Sequence, residues 1–216
     1  MVRYHLVTLF KEACEPYLSA SILGRAQKAK KMSVLYQNPR DYVENKWGKV
    51  DERPYGGGPG MVMSAIPVVK AVTKALSKAK GKKVIIWFSP SAKQFTNKDA
   101  DALAKYNDIV FVCGRYEGID ERAKKIMKTI APLKSFSVGE AVYTGGEVPA
   151  LAMIDAITRR LPGVLGKDES VEERRIAASE VYTRPDTILY KKRKYSVPAI
   201  LKTGHHANIN KWKEKK

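Results

Sequence analysis

Three short runs of apolar residues, each followed by a polar turn, restrict the folds available to this 216-residue chain more than any other feature. The runs cover residues 83–88, 108–113 and 133–138, and patterns typical of helices separate them. Strands that are apolar throughout are buried on both faces, and their alternation with helices is typical of a mostly parallel sheet covered by helices. The sequence therefore predicts an α/β fold with a mostly parallel sheet.

The turns that follow these three strands predict a ligand site. Ser89-Pro90 follows the first strand, residues 114–118 follow the second, and residues 137–146 follow the third. The carboxyl ends of strands in an open α/β sheet are where ligands bind. Because the third turn contains three glycines, a flat polar ligand such as an adenine could reach its main-chain N–H and C=O groups. Taken alone, the same composition would also suit ordinary tight turns.

Hydrophobic spacing and capping residues predict further elements along the chain. These are a strand at 4–10, and helices at 18–31, from Ser64 to Leu76, from Thr96 to Tyr106 with Asp99 in a capping pair, after Arg122, and at 148–161. Residues 38–59 are predicted to be loop. Within and just after that loop, residues 53–61 hold four glycines and two prolines. They match neither a phosphate-binding P-loop nor a GxGxxG fingerprint, and their prolines disfavour a flexible hinge.

Charge and composition narrow the classes of partner. The chain carries 40 Lys and Arg against 22 Asp and Glu, a formal charge of +18, which favours a polyanionic partner. Composition alone does not distinguish RNA, DNA and a membrane surface as the polyanion. The alternative to any such partner is a basic surface that is simply solvated. Two cysteines without CxxC spacing and three histidines make a zinc site improbable. No apolar run approaches 18 residues and no signal-peptide pattern is present, so a cytoplasmic protein is expected.

The composition changes after residue 166. Residues 167–185 are rich in charge and poor in large apolar side chains, which predicts an interdomain linker or lid after a first domain at 1–166. Residues 186–216 form a short basic segment with a predicted helix that carries Trp212. From position 190 onward nine basic residues face one acidic residue, Glu214, so this segment is expected to contact a polyanion.

Several strings of residues, in this order, resemble the bacterial tRNA (guanine-N1)-methyltransferases of the TrmD type. They are RPYGGGPGM at 53–61, CGRYEGIDER at 113–122, GGE at 145–147, IDA at 154–156 with Arg159, PGVLG at 162–166 and YTRP at 182–185. The resemblance implies a SPOUT-type fold with a deep trefoil knot, a homodimer with the active site between subunits, and S-adenosylmethionine as methyl donor. It implies tRNA as substrate, with no DNA or membrane partner. The family is also reported to need Mg²⁺, although no all-protein set of ligands for it is evident in the sequence.

The resemblance also assigns roles to residues by position. Arg159 is expected near the methyl donor and the target guanine, as the cation that stabilises charge on O6. The residues expected to bind the cofactor are Ser89, Pro90, Gly114, Tyr116, Glu117, Gly118, Val138, Gly139, Glu140, Ala141, Val142, Tyr143, Gly145 and Gly146. The residues expected to bind the tRNA are Arg53, Gly58, Pro59, Gly60 and Arg184, together with Lys191, Lys192 and Arg193 of the basic segment.

Two departures from the family pattern bear on the function. Counted forward without gaps from the PGVLG turn, the position of the family's aspartate, the proposed base, falls on Arg174, and an arginine cannot accept a proton at neutral pH. Either a neighbour takes that role, with Glu173 as the first candidate and then Glu172 or Glu169, or a different group is the base, or the chain does not methylate N1 in this way. Family chains usually continue beyond the Trp212 region into a helical domain that helps to clamp the tRNA, so the basic residues of 190–216 are expected to supply phosphate contacts instead.

Three functions follow from these observations. The leading one is methyl transfer to N1 of the tRNA guanine on the 3′ side of the anticodon. The second, which Arg174 favours, is an RNA-binding protein that keeps the cofactor site without catalysis. The third is methyl transfer to another RNA site.

Overall fold

The computed structural model describes residues 1–165 and 180–214 of the chain. The chain divides into two compact units, Met1–Leu165 and Gly166–Lys216. Most of the predicted linker or lid lies outside the described residues, and so do Glu169, Glu172, Glu173 and Arg174.

The first unit is built on a five-stranded parallel sheet. The strands of this unit, in chain order, are β1 (Val2–Val7), β2 (Met32–Gln37), β3 (Asp51–Glu52), β4 (Val62–Met63), β5 (Lys83–Phe88), β6 (Asp108–Val112) and β7 (Leu133–Phe136). The order across the sheet is β2-β1-β6-β5-β7, with every neighbouring pair parallel, while β3 and β4 form a separate antiparallel pair. The predicted α/β class with a mostly parallel sheet is confirmed.

Helices cover both faces of this sheet. They are α1 (Glu15–Ser19), α2 (Ser21–Lys28), α3 (Ala65–Leu76), α4 (Asn97–Leu103), α5 (Glu121–Ile130) and α6 (Glu147–Thr158). One core contains residues of α1, α2, α4 and α6, and the other contains residues of α3 and α5. Successive side chains of a strand point to opposite faces, so β5 places Val84 and Ile86 in the first core and Ile85 and Trp87 in the second. This two-sided burial explains why the strand is apolar throughout.

The structure corrects several of the predicted boundaries. The helix predicted at 18–31 is two helices, because the backbone is extended at Ala20. Residues 38–59 are not all loop, since they contain a 3-10 helix at Pro39–Tyr42 and the strand β3, and β2 was not predicted at all. Ser64 occupies the N-cap of α3 without a capping hydrogen bond from its side chain. The capping box of Thr96 and Asp99 is confirmed at the start of α4.

The amino ends of β1 and β6 are joined by a buried charged cluster. Asp108 is fully buried and accepts hydrogen bonds from Arg3 Nε at 2.7 Å and Arg3 Nη2 at 2.8 Å. Its Oδ1 also lies 2.8 Å from His5 Nε2. Burial opposes ionisation of Asp108, but the hydrogen bonds from Arg3 and His5 bring its pKa below the ordinary value. Burial lowers the pKa of His5 despite the opposing effect of Asp108, so His5 is a neutral donor here.

This cluster predicts a loss of stability in mild acid. The pKa of His5 is lower in the folded chain than its ordinary value of 6.5. As the pH falls, the unfolded chain therefore binds a proton at His5 at a higher pH than the folded chain does. The free energy of unfolding should therefore decrease as the pH falls below 6.5, with the carboxylate of Asp108 adding a further loss as the pH falls below 3.8. In His5→Gln, which keeps a donor but does not titrate, urea unfolding between pH 7 and pH 5 should depend less on pH. Equal pH dependence in both proteins would contradict this account.

The described part of the second unit is small and has no fully buried residue. It contains strands β8 (Thr187–Tyr190) and β9 (Arg193–Ser196), paired as an antiparallel hairpin, a 3-10 helix at Ala199–Lys202, and helix α7 (His206–Glu214). Tyr182 and Trp212 contact each other with ring centroids 6.4 Å apart. The helix that carries Trp212 was predicted, whereas the hairpin was not. In neither unit does a described helix have the length and apolar character needed to cross a bilayer.

Candidate active site

A cavity of about 280 Å³ lies at the carboxyl edge of the sheet, where the turns after β5, β6 and β7 meet. Because the strands are parallel, these three turns are at the same edge although they are far apart in sequence. The lining residues are Phe88, Ser89, Pro90, Gly114, Arg115, Tyr116, Glu117, Gly118, Phe136, Ser137, Val138, Ala141, Val142, Tyr143, Thr144, Gly145, Gly146 and Pro149. Its volume is near the lower end of the roughly 300–1,000 Å³ typical of ligand pockets.

The turn after β6 has a constrained backbone that β4 supports. Tyr116 and Gly118 both have positive φ, at 58° and 121°, which is uncommon for a tyrosine. The N–H of Glu117 donates to the carbonyl of Met61 at 3.0 Å, and the N–H of Met63 donates to the carbonyl of Gly118 at 2.9 Å. These bonds hold the turn at the mouth of the cavity.

The turn after β7 is attached to both of the other turns. The N–H of Ser137 donates to the carbonyl of Lys93, and the N–H of Gly146 donates to the carbonyl of Gly114, each at 2.9 Å. Within the turn, the hydroxyl of Ser137 donates to the carbonyl of Gly139 at 2.8 Å, and the hydroxyl of Tyr143 donates to the carbonyl of Val138 at 2.9 Å. These hydrogen bonds fix the backbone of the turn that forms this part of the cavity wall.

A buried ion pair lies beneath the cavity. Glu147, the first residue of α6, is only 3% exposed, and its Oε2 lies 2.9 Å from Arg115 Nε. The hydroxyl of Thr8, just after β1, donates to Glu147 Oε1 at 2.7 Å. The Arg115 guanidinium lies 4.5 Å from the centroid of the Phe10 ring, a favourable cation–π position. This group of four residues joins the end of β1, the turn after β6 and the start of α6.

A larger depression of about 1240 Å³ adjoins the first cavity, and Glu117 lines both of them. Arg53 lines this second cavity together with Tyr55, whose side chain is almost fully exposed. Gly60, at the end of the glycine-rich segment, lies beside Glu117, since a Cβ on Gly60 would be 2.5 Å from Oε1 of Glu117. Glu117, a predicted cofactor residue, therefore also lines the depression that contains the predicted substrate residue Arg53.

The predicted site residues are only partly brought together. All of the predicted cofactor residues line the smaller cavity except Gly139 and Glu140, which belong to the same turn. Of the predicted substrate residues, Arg53 lines the larger depression and Gly60 lies against Glu117, whereas Arg184, Lys191, Lys192 and Arg193 belong to the second unit. Arg159 follows the last residue of α6, about 18 Å along the helix axis from Glu147. Glu173 lies outside the described residues.

No role was predicted from the sequence for the four residues of the buried ion-pair group, Thr8, Phe10, Arg115 and Glu147. Thr8 and Phe10 lie after β1, and no motif distinguishes them, so only the fold places them against Glu147 and Arg115. Arg115 stands inside the 113–122 string, and a charged residue next to a glycine directly after an apolar strand was the available signal.

The two thiols and the carboxylates of the described chain offer no obvious metal centre. No group of three or more His, Cys, Asp or Glu residues is arranged to hold a metal ion among residues 1–165 and 180–214. Cys14 and Cys113 are both buried and free. Burial raises the pKa of the Cys14 thiol to about 11 and raises that of Cys113 well above its ordinary value, so both are poor nucleophiles at neutral pH.

The fold and the site define an α/β protein with a ligand cavity walled by main chain at the carboxyl edge of a parallel sheet, beside a second, more open depression. The family model described as tRNA (Guanine-1)-methyltransferase TrmD matches residues 2–216, and the chain belongs to this family.

Curated relatives are similar over nearly the whole chain. Proteins named tRNA (guanine-N(1)-)-methyltransferase are 41% identical in Lachnospira eligens, 38% in Photobacterium profundum and 40% in Campylobacter jejuni. These matches cover 99%, 97% and 96% of this chain and 89%, 83% and 88% of the respective relatives.

Proposed function

We propose that the protein transfers a methyl group from S-adenosylmethionine to N1 of the tRNA guanine on the 3′ side of the anticodon. The observation that carries this proposal is the cavity walled by the turns after β5, β6 and β7, because residues 114–118 and 145–146 of the family strings line it. Full-length similarity to proteins named tRNA (guanine-N(1)-)-methyltransferase supports the reaction and the substrate.

The residues of the smaller cavity suit S-adenosylmethionine. When bound, this cofactor supplies an electrophilic methyl group on its sulfonium. The turn at 137–146 would receive the adenine through main-chain groups, because its glycines and braced backbone leave little side chain in the way. The adjoining larger depression would receive the guanine, with Arg53 on its lining, and Glu117 at the boundary would face both ligands.

A homodimer would complete this site. Arg159 is separated from Glu147, beside the cavity, by the length of α6, about 18 Å, so within one chain it is remote from the methyl donor. In a dimer with the active site between subunits, Arg159 of one protomer would reach the cavity of the other. There its guanidinium would stabilise the negative charge that develops on O6 of guanine as N1 loses its proton.

The finer features that the family implies belong to the same proposal. A deep trefoil knot would place the segment 137–146 through a loop formed by the turns after β5 and β6, to which it is hydrogen-bonded. Residues 167–185 would link the first domain to the basic segment 186–216, which would contact tRNA phosphates. Glu173 would accept the N1 proton, and Mg²⁺ would be a further requirement that the resemblance implies.

Single-turnover methyl transfer to an unmodified tRNA transcript with a guanine beside the anticodon tests this function. The wild-type protein should form 1-methylguanine at that position. Glu173→Gln should slow the transfer by about 10²- to 10⁴-fold, as expected for loss of a general base, with cofactor affinity unchanged. Glu172→Gln tests the next candidate and should retain most of the rate if Glu173 is the base. The proposal fails if wild-type protein that binds the cofactor methylates no tRNA at any salt or magnesium concentration.

A further inference from the structure

The hairpin of β8 and β9 has an unusual turn. Tyr190 and Arg193 are paired across the strands, so Lys191 and Lys192 alone form the turn. Both have positive φ, at 46° and 63°, as a two-residue type I′ turn requires. Such turns strongly prefer Asn-Gly, because residues with a long side chain are strained at positive φ. Two lysines are therefore a poor choice for folding, which points to a role for their charge.

The register of the hairpin also separates its side chains into two different faces. Ile188 opposes Tyr195 and Tyr190 opposes Arg193, so these four side chains share one face. Leu189 opposes Lys194 on the other face, where the Thr187 and Ser196 hydroxyls lie 2.9 Å apart.

Both faces are open to solvent, since Leu189 on the second face is 70% exposed, but the aromatic rings lie on the first face. Tyr190 is 62% exposed, Tyr195 is 51% exposed and Ile188 is 55% exposed. The Lys191 ammonium lies 5.6 Å from the centroid of the Tyr190 ring, so the turn charge is next to the aromatic face. Exposed aromatic rings bordered by cations form the surface that stacks on unpaired bases while the cations contact phosphates.

We propose that the β8–β9 hairpin binds unpaired nucleotides of the tRNA, with Tyr190 and Tyr195 stacking on bases and Lys191, Lys192 and Arg193 contacting the adjacent phosphates. This inference rests on the proposed function, which supplies the tRNA. It adds aromatic stacking to the phosphate contacts that the charge alone predicts. The occupant is RNA rather than a second protomer, because four consecutive cationic residues, 191–194, would repel the same turn of another copy.

The sharpest test replaces the turn by the sequence that folds best there. Lys191→Asn with Lys192→Gly removes two charges and relieves the strained backbone, so the hairpin should be at least as well formed. The KM for tRNA should nevertheless rise, and the slope of log affinity against log salt should become less steep by about 0.7 to 0.9 for each phosphate that the hairpin no longer neutralises. The KM for S-adenosylmethionine should not change, because the cofactor cavity is lined by residues of the first unit.

Substitutions on the two faces of the hairpin test whether the tyrosine rings stack on bases. Tyr190→Leu and Tyr195→Leu keep an apolar side chain but remove the ring, and each should weaken tRNA binding by roughly tenfold, within the range measured for removal of one aromatic ring from a stacked base. Leu189→Ala on the opposite face is the matched control and should bind tRNA normally. Lys74→Ala, at the end of α3 next to the amino edge of the sheet, controls for a general loss of charge.

The outcomes separate this inference from the function on which it rests. If the wild-type protein does not methylate tRNA, the proposed function fails first. If it does, and the turn and tyrosine variants keep wild-type KM, affinity and salt dependence, the hairpin proposal is overturned. It is also overturned if these variants change the oligomeric state in sedimentation while tRNA affinity stays the same, because the face would then be a contact between protomers.

Discussion

Gly146→Ala is expected to destabilise the first unit by about 3 kcal/mol and to abolish binding of S-adenosylmethionine. A Cβ at this position would lie 2.6 Å from Cys113 Cα and 3.0 Å from the Gly114 nitrogen, and neither atom belongs to a side chain that could rotate away. The N–H of Gly146 also donates to the carbonyl of Gly114 at 2.9 Å. The added methyl would therefore separate two turns that form adjacent walls of the cavity.

Urea unfolding and calorimetric titration with S-adenosylmethionine measure the two parts of this prediction. Gly48→Ala is a suitable control, because Gly48 has a positive φ of 61° but the nearest atom to an added Cβ is 3.9 Å away. That variant should lose only the modest free energy of the strained backbone, about 1–2 kcal/mol, and bind the cofactor normally. Wild-type stability and affinity in Gly146→Ala would show that the two turns can separate without consequence.

The central strands and the cavity turns could be predicted from the sequence because local pattern determines them. β5 and β6 are apolar at almost every position, which two-sided burial requires, and their predicted boundaries agree within one residue. Thr96 and Asp99 are three residues apart, so their capping box depends on nothing outside one helical turn. Parallel strands then bring their carboxyl-end turns to one edge without further information.

Other features depend on contacts that no local pattern contains. β2 is an edge strand that pairs only with β1 and is partly exposed, so its sequence lacks the continuous apolar run of a central strand. The hairpin of β8 and β9 was missed because Lys191-Lys192 is not a sequence typical of a two-residue turn. The contact between Thr8 and Glu147 spans 139 residues and requires the strand order of the whole sheet.

Arg159 shows a different limit to what the sequence of one chain can predict. Its string at 154–159 resembles the family, and its predicted role places it beside the methyl donor. In one chain it follows the end of α6 that is remote from the cavity. A residue that acts on another copy of the chain has no partner that an intrachain pattern could reveal, so its role stays a prediction until the homodimer is tested.

Glu147→Ala is expected to cost about 3 kcal/mol of unfolding free energy and to weaken cofactor binding. The carboxylate of Glu147 is nearly inaccessible to solvent, accepts the hydrogen bond of Thr8 at 2.7 Å, and lies 2.9 Å from Arg115 Nε. Its removal leaves Arg115 largely buried without its counter-ion and the hydroxyl of Thr8 without its acceptor. Arg115 stands between Gly114 and Tyr116, so its displacement should move the cavity wall itself.

A double variant separates the structural part of this effect from the positioning part. Arg115→Met combined with Glu147→Leu removes both charges together, and buried ion pairs replaced by apolar side chains of similar volume commonly lose little stability. The double variant should therefore recover most of the unfolding free energy lost in Glu147→Ala. If the pair also positions the turn after β6, the affinity for S-adenosylmethionine should remain weak in that stable double variant. Recovery of both stability and affinity would show that the ion pair only neutralises buried charge. A weak affinity at wild-type stability would show that the ion pair also positions the cofactor.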